Sequence, residues 1–371
     1  MSADDLRWPR FHVPVDRSGG VRAHPTAIKV RAAAGDQSAR PGKLDAGWLR
    51  EMCLGAGADD VGFAALDTPG LEGERDYVLE ALPGTRSLIA ICVRTSRDNL
   101  RSRSISVSNR DFATTQELVH ETARHICLEL QRKGVRALYP ATGFPMEIQR
   151  FPNRSWVVSH KLAAVAAGLG QLGVHRNVIH PRFGTFIVLG TILLDAEITP
   201  YSAPLAWNPC LDCGLCVAAC PVGAIHADGT FDFDACYTHN NNHDLSNFAG
   251  WVENIADSAD AADYNRRVTP SETLSMWQSL SFSPQYRSGY CVAVCPAGAD
   301  VLGPYLADQD QHVREVVRPL QEKPEYVYVK VGSAAEAYAA EHFPHKTIRH
   351  ARAGTQPEPG LDAAPAREEA R

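Results

Sequence analysis

No segment of this chain is long and apolar enough to cross a bilayer. The most apolar run, Phe186 to Leu194, falls far short of the roughly 20 residues a membrane helix needs. The opening residues, MSADDLRWPRFH, hold neither a twin-arginine pair nor an apolar stretch of the kind that directs secretion. A soluble, cytoplasmic protein with no membrane partner is therefore expected, in a compartment where thiols stay reduced. A basic surplus is also missing, with 37 Lys and Arg against 43 Asp and Glu, which argues against a nucleic-acid partner. Aspartate is absent from the whole stretch between Asp111 and Asp195. No internal repeat appears beyond two short cysteine half-motifs.

What the chain does have is 10 cysteines, unevenly spread. Cys210, Cys213, Cys216 and Cys220 form the run CLDCGLCVAACPVG, and Cys291 and Cys295 repeat part of it in CVAVCPAG. C-x2-C-x2-C-x3-C-P is the pattern of bacterial two-cluster ferredoxins: three thiolates wrap one cluster, and the fourth, before proline, turns to its neighbour. Cys210, Cys213, Cys216 and the distant Cys295 are thus expected on one 4Fe-4S cluster. Zinc sites favour two separated cysteine pairs and disulfides suit secreted chains, so both fit this run less well.

The second half-motif is incomplete. A regular motif would place a ligand at position 288, which is Ser288. Cys236 can serve as a displaced ligand if residues 237–287 form an insertion. Cys220, Cys236 and Cys291 then suit a 3Fe-4S cluster, or a 4Fe-4S cluster with an unusual fourth ligand. Ser288 is the candidate by position, and His239 and His243 are candidates by chemistry. Cys53, Cys92 and Cys127 lie in apolar segments and read as core.

Upstream, the pattern alternates helices and strands. Leu44, Trp48, Leu49 and Met52 have helical spacing, and apolar strands are expected at Val61 to Leu66 and Ser87 to Val93. Leu118, Val119, Ile126, Cys127 and Leu130 form one stripe of a helix over Thr114 to Lys133 that Gly134 ends. A strand at Val135 to Tyr139, a helix at Ser159 to Ala167 and a buried strand at Thr185 to Leu194, with a bulge at Gly190, complete an α/β domain. The segment Gly168-Leu-Gly-Gln-Leu-Gly173 follows a helix, so it is no dinucleotide fingerprint. Helix capping accounts for it on its own, while close approach to a large flat ligand is the functional alternative.

The stretch KLAAVAAGLGQLGVHRNVIHPRFGTFIVLGTILLDAEI runs directly into the cysteine motif. Its A-G-L-G-x-x-G element (Ala167 to Gly173), I-x-P-x-F-G element (Ile179 to Gly184, as IHPRFG) and L-x-D segment (Leu193 to Asp195) resemble the family of reductive dehalogenases and epoxyqueuosine reductases. Asn109-Arg110-Asp111-Phe112, ahead of a long helix, is similar to its G-R-D-Y segment. The resemblance covers about residues 45–300. It implies a nitroreductase-like corrinoid-binding domain followed by a two-cluster ferredoxin-like domain, with electrons relayed to cobalamin. Cobalamin comes from the resemblance alone.

The family's epoxyqueuosine reductases take their general acid from an aspartate just before the glycine-rich element, and here that position falls near Arg154. The absence of aspartate favours a reductive dehalogenase reading, with Tyr139 as proton donor and Arg154 or Lys161 as the basic neighbour, His160 being a third basic candidate. Gly168, Gly170, Gly173, His180 and Arg182 are the expected cofactor contacts, with His175 and Arg176 nearby. The expected function is a corrinoid-dependent iron-sulfur reductase of a small organic substrate, an organohalide by the dehalogenase resemblance, fed by an external reductant such as ferredoxin or flavodoxin. An epoxyqueuosine-reductase-like tRNA enzyme and a ferredoxin-type carrier without corrinoid are the alternatives. The expected organisation is an extension over 1–40, the corrinoid-binding domain over 41–204 and the ferredoxin domain over 205–304. A C-terminal arm over 305–350 packs back on the catalytic domain, and 351–371 has disorder-like composition.

Overall fold

The structure, a computed structural model, describes residues 23–33, 41–147, 154–241, 245–282 and 289–351. Ser288, His243 and the tail beyond Ala351 lie outside the described residues. The chain divides into two compact units, Met1–Pro41 and Gly42–Arg371. Helix α1 (Pro25–Ala33) belongs to the first, and every other element to the second.

In the second unit, β1 (Lys43–Asp45) leads into α2 (Ala46–Gly55), whose N-terminus is capped by the Asp45 carboxylate accepting from Trp48 N at 2.8 Å. There follow β2 (Asp60–Ala65), α3 (Arg75–Ala81), β3 (Ser87–Arg94), α4 (Ile105–Arg132), β4 (Ala137–Leu138), α5 (His160–Ala166), β5 (Gln171–Leu172), β6 (Val178–Ile179), β7 (Ile187–Leu194) and β8 (Glu197–Thr199). The central antiparallel sheet has the order β2-β3-β7-β4.

Its two middle strands read as continuous apolar runs because both of their faces are covered. On one face Ile89, Ile91, Val93, Val188 and Ile192 pack with Leu49 and Cys53 of α2 and with Val119, Ile126 and Leu130 of α4. On the other, Leu88, Ala90 and Leu193 pack with Val78 of α3 and the alanines of α5. Fully burying each such aliphatic side chain stabilises the fold by roughly 1.5–3 kcal/mol.

Three expectations are corrected here. Helix α4 begins at Ile105, well before Thr114, so Asn109 to Phe112 lie inside it. Leu118 is 45 % exposed, because the buried stripe runs through Val119, Ala123, Ile126, Cys127 and Leu130 and leaves position 118 to one side. Gly190 makes no bulge and pairs in register with Ile91; a Cβ there would lie 2.6 Å from Val119 Cγ1, so the glycine lets α4 sit close to the sheet.

The cysteine-bearing part continues with α6 (Leu215–Ala219) and α7 (Phe233–Asn240), then α8 (Leu245–Ala256), α9 (Ala261–Arg267) and α10 (Pro270–Ser281), which fill most of the expected insertion. After α11 (Tyr290–Ala293) and α12 (Ala299–Ala307) come β9 (Tyr326–Val329), α13 (Ala334–His342) and β10 (Thr347–His350), a parallel strand pair linked by a crossover helix. This C-terminal arm packs on the cysteine-bearing part, not on the sheet domain as expected: Val327, Val329, Ala335 and Ala339 share a core with Cys216, Cys220, Val222 and Val294. The apolar alternation of β9 needs a partner face, and the small residues around the cysteines supply it.

The sheet and the cysteine-bearing part form one packed unit. Thr185 Oγ1 donates to Val292 O at 2.9 Å, Arg101 Nε to Ala293 O at 3.1 Å and Arg97 Nη1 to Asp300 O at 2.8 Å. No helix among the described residues is long and apolar enough to cross a membrane.

Candidate iron-sulfur site

Two left-handed residues shape the first cysteine loop. Asp212 (φ 50°) and Gly214 (φ 71°) turn the chain between Cys210 and Cys216, and α6 starts immediately after. The turn brings Cys210, Cys213 and Cys216 around one cavity, whose far wall is Cys295 with Pro296 and Ala297. Cys213 is exposed and Cys210 half-buried, while Cys216 and Cys295 are buried. Among the described residues no three His, Cys, Asp or Glu side chains converge closely enough to hold a single metal ion. Four thiols ringing a cavity instead suit a polynuclear cluster, in which each thiolate takes its own iron.

Burial pushes the Cys295 thiol up to about 12 and the Cys216 thiol to about 11, with the neighbouring thiols adding to both. Gathering thiolates here is unfavourable without a compensating cation, which bound iron supplies as it displaces the protons. The donor set therefore fits a 4Fe-4S cluster.

Cys220, Cys236 and Cys291 form a second group. Burial raises all three thiols, Cys236 to about 12, and Cys291 is pushed further by Cys236, Cys220 and Cys216 in turn. Because Cys216 belongs to the first group, the two groups adjoin. Backbone N of Ala224 donates to Cys220 Sγ at 3.3 Å, and Asn177 Nδ2 donates to Cys291 Sγ at 3.6 Å. His239, a chemical candidate for this group, is buried on α7 with Nδ1 accepting from Tyr328 N at 3.3 Å.

The residues proposed for catalysis occupy three separate settings. Tyr139 is half-buried against the core under α4. Arg154 is committed to Glu74: its Nη2 donates to Oε2 at 2.6 Å and its Nη1 to Oε1 at 3.1 Å, and the guanidinium lies 3.8 Å from the Tyr77 ring centroid. Lys161 donates to Arg176 O at 2.8 Å and Asn177 Oδ1 at 3.0 Å, which anchors it beside the second thiol group. Desolvation holds its ammonium below the usual lysine value, although Cys291 and Cys236 pull the other way. His160 joins Ala141 O at 3.0 Å to Thr191 Oγ1 at 2.9 Å, and burial keeps its imidazole below the usual value.

The expected cofactor contacts are engaged by the protein itself. Gly168 (φ 75°) closes α5, with Leu169 N reaching back to Ala164 O at 2.9 Å, the helix-capping alternative. A Cβ at Gly168 would meet Ala203 O at 2.3 Å, one at Gly170 would meet Ile179 O at 2.4 Å, and one at Gly173 would meet Ile179 Cδ1 at 2.6 Å. The space these glycines open is filled by neighbouring chain, not left for a flat ligand. His180 accepts at Nδ1 from Arg182 N (3.1 Å) and Phe183 N (3.3 Å) and so donates through Nε2 to Asp60 at 3.0 Å. Arg182 pairs with Asp300 at 3.3 Å. Each of these five residues is thus engaged within the protein.

Two cysteine-site neighbours were not assigned to it from the sequence. His175 was expected near a corrinoid, yet it lines the first cysteine cavity, and Asn177 had no assigned role. Burial and the nearby Lys161 ammonium lower the His175 imidazole to about 4. Their only sequence signal is position, a few residues after the glycine-rich element.

Residues 207–226 match the 4Fe-4S binding domain family. Over 119 residues the chain is 31 % identical to an epoxyqueuosine reductase of Synechococcus sp. (30 % of this chain, 36 % of the relative). Over 210 residues it is 23 % identical to the enzyme of Prochlorococcus marinus (54 % and 64 %). Over 218 residues it is 23 % identical to that of Vibrio cholerae (52 % and 57 %). Over these stretches the chain is similar to epoxyqueuosine reductases. It spans roughly one third to two thirds of the length of these relatives. Among solved structures, an epoxyqueuosine reductase from Bacillus subtilis overlaps 81 % of this chain and 82 % of its own, at 15 % identity and a TM-score of 0.39. A B12-dependent reductive dehalogenase overlaps 83 % and 37 %, at 15 % identity and a TM-score of 0.43.

Proposed function

We propose that this protein is an iron-sulfur reductase of the epoxyqueuosine-reductase type, which delivers electrons one at a time through two adjoining clusters. The observation that carries the proposal is the pair of thiol groups: Cys210, Cys213, Cys216 and Cys295 around one cavity, with Cys220, Cys236 and Cys291 against it. When bound, the clusters supply single-electron transfer. The chain's own residues hold them, exclude water behind Cys216 and Cys295, and place hydrogen-bond donors on the sulfurs.

The names of the relatives support reduction of an epoxide on a tRNA nucleoside over reductive dehalogenation, the reading favoured in the sequence. A tRNA substrate re-enters with them, despite the excess of 43 acidic over 37 basic residues. The nitroreductase-like assignment of the sheet domain belongs to the same proposal, supported by an antiparallel sheet covered with helices on both faces. Cobalamin enters through the family resemblance, and because the residues named for it are engaged elsewhere, no step is routed through it. Arg154, bound to Glu74, positions the 154–159 segment and is not the basic neighbour of Tyr139 in this reading. Tyr139 remains the proton-donor proposal.

Dehalogenation is kept as a second reading because no aspartate lies between Asp111 and Asp195 to serve as the epoxide enzyme's acid. The test is anaerobic reconstitution with iron, sulfide and cobalamin, a strong reductant, and either an epoxyqueuosine-bearing tRNA stem loop or an aryl halide. Conversion of the nucleoside, lost in Tyr139→Phe, is the expected result. Turnover of the halide alone would install the second reading, and a chain that takes up no iron would sink both.

A further inference from the structure

The imidazole of His175 is 3 % exposed and stands in the wall of the cavity ringed by Cys210, Cys213, Cys216 and Cys295. Its Nδ1 accepts a hydrogen bond from Asn177 N at 3.1 Å. An imidazole that accepts at Nδ1 is neutral and carries its proton on Nε2. Nε2 is buried and has no hydrogen-bond partner among the described residues. Leaving such a donor unsatisfied costs about 1–3 kcal/mol, so a buried N–H on a residue that lines a cavity of thiols points to an acceptor held in that cavity.

We propose that His175 donates a hydrogen bond from Nε2 to a sulfur of the cluster held by Cys210, Cys213, Cys216 and Cys295, and so raises that cluster's reduction potential. The physical reason is that reduction adds negative charge to the cluster, and a donor aimed at sulfur stabilises the more electron-rich state. Gly173 supports the arrangement: a Cβ there would stand 3.2 Å from Nε2 and 3.0 Å from Cε1, so the missing side chain leaves room for the ring. Asn177 does the equivalent for the other group by donating to Cys291 Sγ, and the loop 173–177 thereby offers one donor to each cluster. The inference rests on the cluster part of the proposed function and is independent of corrinoid and substrate.

The experiment uses the full chain, reconstituted anaerobically, with iron and sulfide quantified before a redox titration followed by electron paramagnetic resonance. His175→Phe keeps a flat ring and removes the donor. Its first cluster is expected to need a more negative potential, with a tenfold change in the reduced-to-oxidised ratio, about 59 mV for a one-electron couple. The second cluster should move much less, and His175→Gln, which keeps an N–H, should recover part of the shift. An unchanged potential in a fully loaded His175→Phe protein overturns the proposal. Should that variant fail to load, wild-type protein labelled with 15N-histidine decides: pulsed resonance of the reduced first cluster must show a weak coupling to a non-ligating imidazole nitrogen. No coupling, or one strong enough for a direct iron ligand, overturns the proposal. A wild-type chain without iron sinks this inference and the proposed function together, whereas iron with an unshifted potential sinks this inference alone.

Discussion

Cys295 is the residue on which the first thiol group depends, because it closes from a distant segment a cavity that Cys210, Cys213 and Cys216 open. Replacing it with alanine is expected to remove that cluster and leave the second, so iron content should fall by about half. Chemical analysis with resonance spectra would check this, and two intact clusters in Cys295→Ala would refute the ligand assignment. Accessibility separates the other thiols. Only Cys213 is exposed, so in iron-free protein an alkylating reagent should modify it first, with buried Cys216, Cys220 and Cys295 following only on unfolding; peptide mass mapping reads the order. The core thiols Cys53 and Cys127, each pushed to about 12 by burial, should resist the reagent as well.

At the scale of elements, the turn from His180 to Gly184 holds the cysteine segment against the sheet. Gly184 has φ 66°, and a Cβ there would lie 2.0 Å from Ala297 O. Gly184→Ala therefore combines backbone strain with a collision that displaces the segment following Cys295. It should destabilise the chain by at least about 1–3 kcal/mol and lower cluster loading, readable as a urea midpoint and an iron content. Glu74 plays a comparable part for α5, since its carboxylate accepts from Arg154 and from Ser159 N at 2.6 Å. Removing it in Glu74→Ala strands a half-buried guanidinium, at a cost of about 3–5 kcal/mol. Denaturant unfolding measures that loss, and a change below about 0.5 kcal/mol would show the pair to be incidental.

Across the whole molecule, the insertion is tied to the C-terminal arm by Glu272, which caps α10 through Thr269 and pairs with Arg349 at 2.7 Å. Burial alone would raise the Glu272 carboxyl, but the hydrogen bonds from Arg349 and Thr269 outweigh it and hold the group below its usual value. A carboxyl depressed in the folded state contributes stability that is complete above its unfolded pKa, about 4.3, and is lost as pH falls through the lower folded value. Thermal melts should show Glu272→Gln flattening this acid limb; an unchanged limb would remove Glu272 from the account. Stripping iron should loosen the cysteine-bearing part and the arm before the sheet domain, because Cys216 and Cys220 share a core with Val327 and Val329. Hydrogen exchange with and without iron would resolve the order. Residue order alone determined the four-cysteine loop, the middle strands and the helix Ser159 to Ala167. All rest on local spacing, short apolar runs or caps that neighbouring residues satisfy. Tertiary structure decided the rest: the start of α4, the alignment of Gly190, the docking of the arm, and the fates of Arg154, His175, His180 and the three glycines. Each depends on a partner distant in sequence, such as Glu74, Asp60, Ala203 or the cavity of thiols, and a linear pattern carries no information about which distant group a polar side chain or a missing Cβ will meet.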